Sequence, residues 1–189
     1  MTRLLALAAI VLAPAAPSHV IRASATMQHV GSLRLEQDPH ASAARTAFGE
    51  PSSCRRIRLE DGAIVHWRSL GVRIILATLG AIPAGQEPCT WGGMPISVVD
   101  VTGRMWTTSL GLRVGDAVAK LRRLYPRAPY VARNGGEAFP GHAYWLVTKR
   151  TACVGVGCGP GRVTVPQLIA KVRGGRVVEL VLPVFAQGE

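Results

Sequence analysis

Lysine is nearly missing from this chain: only Lys120, Lys149 and Lys171 occur, and the rest of the 22 basic residues are arginines. Carboxylates are few as well, 11 Asp and Glu, which leaves a formal net charge of +11. Aromatic residues make up only 5%, and Trp67 and Trp145 read as buried on strand faces. Proteins that hold single-stranded nucleic acid interleave basic residues with exposed aromatics, so this scarcity counts against a nucleic-acid partner. The basic clusters Arg55, Arg56, Arg58 and Arg122, Arg123, Arg127 read instead as solvated helix ends or loops. No stretch beyond the first residues approaches the roughly 20 apolar residues that a membrane-spanning helix needs. What remains is apolar enough for a core, with 48% hydrophobic and 17% charged residues over 189 positions. That is the size of one domain or two small units packed together, and it is not the composition of a disordered chain.

Catalytic signatures are also missing. There is no G-x-S-x-G elbow and no S-x-x-K pair. No H-E-x-x-H or other ligand spacing joins His29, His40, His66 and His142. The glycine-rich run Gly155 to Arg162 has no Lys-Ser/Thr, so it reads as a hairpin tip and not as a phosphate cradle. A glycosidase would need two suitably spaced carboxylates. Asp100 and Glu179 both fall within strand-like segments and could meet across a sheet, but spacing alone names no pair. Neither a cofactor nor a metal is expected.

Residues 1–25 read as a secretory leader. Arg3 supplies the positive start, Leu4 to Leu12 the apolar run, and Pro14 breaks it. Two sites fit a small-residue cut, Ala13-Pro14-Ala15 before Ala16 and Ala23-Ser24-Ala25 before Thr26. No cysteine precedes Cys54, so a lipid attachment at the cut is excluded. The expected location is the cell envelope or the medium. Four cysteines follow: Cys54, Cys89, Cys153 and Cys158. An even number in an exported chain implies disulfides. Three pairings exist, and Cys54–Cys89 with Cys153–Cys158 keeps each bond within one half of the chain. A C-x-x-C redox motif is absent, and no His lies close to the Cys153/Cys158 pair to suggest zinc.

The chain repeats itself loosely. Leu33-Arg34-Leu35 leads through Asp38 and a helical stretch to Phe48-Gly49, and Leu112-Arg113-Val114 leads through Asp116 and a helical stretch to Tyr125-Pro126. Asp38 and Asp116 are the expected N-caps, with Pro39 at the first helical position. Ala41, Ala44, Ala47 and Phe48 form one apolar stripe; Val118, Leu121, Leu124 and Tyr125 form the other. Each half then carries a strand–turn–strand signal. One runs from Ile64 to Leu79 and turns at Leu70-Gly71. The other runs from Leu168 to Leu182 and turns at Gly174-Gly175. Ala63, Val65, Trp67, Val72, Ile74 and Leu76 should face inward, with His66 and Arg73 outward. Ser97 to Thr102 and Ala143 to Lys149 are further strands, and residues 81–94 and 127–142 are loops. The pattern predicts an α+β fold: two related helix-plus-antiparallel-hairpin repeats, residues 30–105 and 106–185, forming one compact sheet-and-helix unit.

The segment Ser109-Leu110-Gly111-Leu112-Arg113-Val114-Gly115-Asp116, continuing to Tyr125-Pro126, resembles the helix start of the SmpA/OmlA envelope lipoproteins and of the two-repeat β-lactamase inhibitor proteins. The resemblance is specific over residues 109–126 and looser over the duplication. It departs in lacking the lipoprotein cysteine, in showing one clear helix per half and in having Glu36-Gln37-Asp38 where the second half has Gly115-Asp116. It implies binding of other proteins and supplies no catalytic residues. The expectation is therefore a non-catalytic exported binding or structural protein. Its partner would be another extracellular protein or an anionic envelope component, met by the outward sheet face through Arg68, Arg73 and Trp106. The alternative is an extracellular hydrolase using His142 or His66 beside a free Cys89 or a carboxylate.

Overall fold

The structure, a computed structural model, describes residues 19–23, 28–36, 39–57, 62–78, 82–132, 142–152 and 162–184. Residues 1–18 of the expected leader, both candidate cuts, Asp38, Cys153 and Cys158 lie outside the described residues.

Among the described residues the chain is α+β, with two helices and strands in two sheets. A small sheet is made from β1 (Val20–Ala23), β2 (Gln28–Val30), β3 (Leu33–Arg34) and β8 (Thr107–Thr108), in the order β3-β2-β1-β8. The large sheet has eight strands. Four come from one stretch of chain: β4 (Ser53–Ile57), β5 (Gly62–Trp67), β6 (Val72–Ala77) and β7 (Ile96–Val101). Four come from another: β9 (Tyr130–Val131), β10 (Ala143–Ala152), β11 (Arg162–Arg173) and β12 (Arg176–Pro183). Their order is β4-β5-β6-β7-β12-β11-β10-β9, so two antiparallel meanders meet at the centre, β7 against β12.

Alternation decides which side of this sheet is buried. Ala63, Val65 and Trp67 on β5, Val72, Ile74 and Leu76 on β6, Val99 and Val101 on β7, and Leu180 and Leu182 on β12 all enter one core. Helix α1 (Ala41–Phe48) closes that core with Ala41 and Ala44, and α2 (Val118–Leu124) with Leu121. The small sheet contributes Ile21, Val30 and Leu33. Gln28 ties the two sheets together: its buried amide donates to the carbonyls of Gln167 (2.5 Å) and Pro183 (3.2 Å). Those contacts satisfy a polar side chain that would otherwise be costly inside.

Two turns need their glycines. Gly174 and Gly175 connect β11 to β12 with φ of +55° and +73°, the backbone of a tight hairpin that only residues without a side chain adopt cheaply. Gly71 (φ +60°) ends the 3-10 turn Arg68–Leu70 and lies against Gly103; a Cβ on it would collide with the Gly103 backbone. This close crossing lets Trp106 Nε1 donate to the Leu70 carbonyl at 2.7 Å.

The expected helix starts are displaced. Asp116 does not cap α2: the helix begins after Ala117, which has no side-chain cap. Asp116 instead closes the preceding turn, accepting from the Arg113 amide at 2.8 Å and pairing with Lys120 Nζ at 2.7 Å. Burial pushes its pKa up, but the bonds from Lys120 and the Arg113 amide, with the charges of Lys120 and Arg113, together outweigh that and hold it below the ordinary value. Pro39 likewise stands outside α1, because extended His40 occupies the cap and bridges to Pro95. The Pro39 carbonyl accepts from the Ile96 amide at 2.8 Å and holds the helix start to β7. Within the loop expected over 127–142, Tyr130–Val131 forms the edge strand β9 against β10.

Candidate docking face

The second side of the large sheet carries a different set of residues. Strand registers line up Ser53, His66, Arg73, Asp100, Val181, Ile169 and Trp145 in one row across β4, β5, β6, β7, β12, β11 and β10. Directly opposed residues share a face, so this row crosses almost the whole sheet on its outer side. Its β10 end is apolar: Ala143, Ile169 and Val181 are buried, with Val98 and Trp145 partly covering them. Among the described residues, neither helix contributes to this cluster.

The other end is basic. Arg55 pairs in register with outer-face Ile64 and is exposed, and Arg68 is exposed at the end of β5. Partial burial, and then the positive charges of Arg73, Arg68 and Arg55, hold the His66 pKa below its ordinary value. The imidazole thus lies within the field of all three guanidinium groups.

Between the two ends lies a four-residue ion network. Asp100 is 2% exposed. Arg73 Nε donates to Asp100 Oδ2 at 2.7 Å, and an Arg73 terminal nitrogen also pairs with that oxygen. The same nitrogen reaches Glu179 Oε1 at 3.1 Å, and Lys171 Nζ pairs with Glu179 Oε2 at 3.1 Å. Burial and the neighbouring Glu179 carboxylate push the Asp100 pKa up to about 6, against the opposing pull of Arg73 and Lys171. A carboxylate pair with one raised pKa has the composition of an acid/base couple. Here both members are engaged by cations and Asp100 is closed from solvent.

The sequence-predicted contacts divide. Arg68 is exposed on the basic end. Arg73 lies on the outer face as expected, but its guanidinium is committed to Asp100 and Glu179. Trp106 is not a surface contact: it is 2% exposed. Its indole lines a hollow of about 470 Å³ with His19, Ala47, Phe48 and Leu70, and His19 meets it edge-on at 5.0 Å. Trp145, expected to be buried, is the outer-face tryptophan, because Tyr144 and Leu146 on either side of it turn inward.

Cys54 and Cys89 form a disulfide across 35 residues. Cys89 is therefore no thiolate nucleophile, and the bond pins the loop after β6 beside α1, where Arg45 donates to the Cys89 carbonyl at 2.5 Å. The pairing expected for Cys153 and Cys158 falls outside the described residues. His142 pairs with Tyr130: its ring stacks on that of Tyr130, whose hydroxyl contacts His142 Nδ1. Among the described residues no group of three or more metal-ligating side chains occurs, and no helix is long and apolar enough to cross a membrane. Comparison with known proteins returns no matching family model, no matching curated protein and no matching solved structure.

Proposed function

We propose that this is an exported, non-catalytic binding protein that docks an acidic extracellular protein on the outer face of its large sheet. One observation carries the reading. The inner face is filled by both helices and the small sheet, while the outer face presents a half-buried tryptophan at one end and Arg55, His66 and Arg68 at the other. Tryptophan and arginine dominate the energetics of protein interfaces. A basic rim speeds encounter with an acidic partner, and the net charge of +11 acts in the same direction.

The reading extends to the architecture. A short helix followed by a four-strand meander occurs twice, α1 with β4 to β7 and α2 with β9 to β12. This arrangement supports a duplicated unit and, with it, the resemblance to the two-repeat inhibitor proteins. The disulfide supports an oxidising compartment.

The test is capture from the producing organism's culture medium by the immobilised protein, run beside Trp145→Ala and Arg68→Glu. The expected result is an acidic protein retained by the parent chain and weakened at least tenfold by either substitution. Retention that both variants leave unchanged, or no reproducible retention, refutes the outer face as a docking site. Loss of retention in salt alone, with both variants like the parent, points to bulk attraction for anionic polymer.

A further inference from the structure

The two candidate cuts in the leader have opposite consequences for the fold. Cutting before Thr26 removes Val20–Ala23, which is β1. This strand is internal to the small sheet. It pairs antiparallel with β2, Ile21 opposite Val30 and Arg22 opposite His29, and parallel with β8, Val20 opposite Thr107 and Ile21 opposite Thr108. Both of its edges carry backbone bonds. The amides of Thr107 and Ser109 donate to the carbonyls of His19 and Ile21, each at 3.0 Å, and the Gly31 amide donates to Val20 at 3.0 Å.

Its side chains matter equally. Ile21 is fully buried in the main core, and His19 packs against Trp106. Without β1, the β2–β3 hairpin has no strand joining it to β8, because β1 is what lies between them. Backbone groups on both flanking strands then lose their partners, which is costly wherever water cannot replace them. The core loses a large aliphatic side chain in the same step.

We infer that β1 belongs to the working protein, so that the leader is removed before Ala16 and not before Thr26. The inference rests on the reading of the chain as exported. The local sequence agrees with it. Ala15 comes shortly after the apolar run that ends at Leu12, whereas Ala25 comes after His19, which packs on Trp106, and Arg22, which lies in β1.

Intact mass and N-terminal sequencing, on the complete chain expressed in an exporting bacterium, test the site directly. A mature chain beginning at Ala16 is expected outside the cytoplasm. A chain beginning at Thr26 overturns the inference and leaves export standing. An uncut chain retained in the cytoplasm overturns export and this inference together.

A second measurement tests the strand itself. Chains beginning at Ala16 and at Thr26 are sent out behind an unrelated leader and melted side by side. The shorter one should melt roughly 10 °C or more lower, or fail to accumulate. Ile21→Asp in the full chain should act in the same direction, while Ile21→Val should shift the midpoint by only a few degrees. Equal melting of the two chains, or an Ile21→Asp chain as stable as the parent, overturns the inference.

Discussion

Replacing Asp100 by Asn changes one atom at the centre of the outer face and removes one buried charge. Asp100 has a pKa of about 6 in the fold against an ordinary 3.8. The folded state therefore holds this proton more tightly than the unfolded chain does. Its contribution to stability is fully present below pH 3.8, is lost as pH rises through that value towards 6, and stays lost above. At about 1.4 kcal/mol per pKa unit, the ionised form is less stable in the fold than the neutral form by roughly 3 kcal/mol. Between pH 4.5 and pH 8 this one group should lower stability by about 2 kcal/mol. The attraction of Arg73 is already contained in that pKa, so it is not subtracted again. Asparagine mimics the neutral carboxyl, and Arg73 is not stranded, because it is 41% exposed and keeps Glu179. Asp100→Asn should then be about 1 to 3 kcal/mol more stable than the parent at pH 7.5, and its pH profile should be flatter. Urea unfolding at pH 4.5, 6 and 7.5, followed by far-ultraviolet circular dichroism, measures both quantities. The opposing mechanism is loss of a buried ion pair, which destabilises by about 3 to 5 kcal/mol when it leaves a charge uncompensated. A loss of that size at pH 7.5 would show that the pair outweighs the desolvation and would refute the reasoning.

The disulfide and the glycine crossing give two further expectations. Cys54→Ser combined with Cys89→Ser frees a loop of 35 residues; by loop entropy the fold should lose about 4 kcal/mol, read as a lower urea midpoint, with a steeper slope because the unfolded chain is no longer held compact by the bond. Gly71→Ala forces a methyl group onto the Gly103 backbone, whereas Gly174→Ala has a similar positive φ and nothing within 4 Å. The second should cost about 1 kcal/mol of backbone strain and the first at least twice that; equal losses in thermal melts would show that the crossing is not tightly packed.

Much of the large sheet was legible in the sequence because its strands alternate over enough residues. Ala63, Val65, Trp67 and Val72, Ile74, Leu76 face the core as their spacing demands, and Gly174-Gly175 turns where two adjacent glycines can. The helix stripes were legible for the same reason, since Ala41, Ala44 and Leu121 are buried. The helix starts were not. Aspartate favours caps in general, but Asp116 finds the Arg113 amide and the Lys120 ammonium before any helical amide. Strands of two to four residues show too little alternation to be read, which hid β2, β3 and β8. β1 was hidden differently, because a leader and a short apolar strand draw on the same residue types.

The candidate site was harder to read, for a reason of geometry. Alternation tells which side of its own strand a residue takes, but the outer row joins positions 53, 66, 73, 100, 181, 169 and 145, and only pairing registers bring them together. A shift of one residue in any register would replace an outer side chain by an inner one. The two tryptophans illustrate the consequence. Trp106 sits in a turn, where no alternation applies, and its indole goes inward because the Leu70 carbonyl is there to accept its N–H. Trp145 sits between two residues that the core takes, Tyr144 and Leu146, and so must face out. Its outward position thus depends on which neighbours are buried and not on its own hydrophobicity. The same logic applies to Asp100: flanked by the core residues Val99 and Val101, it faces the other side. It stays ion-paired there because register sets Arg73 beside it and brings Glu179 within reach. The outer face is therefore a product of strand order, and changes that preserve every local propensity but slip β7 against β6 or β12 would erase it.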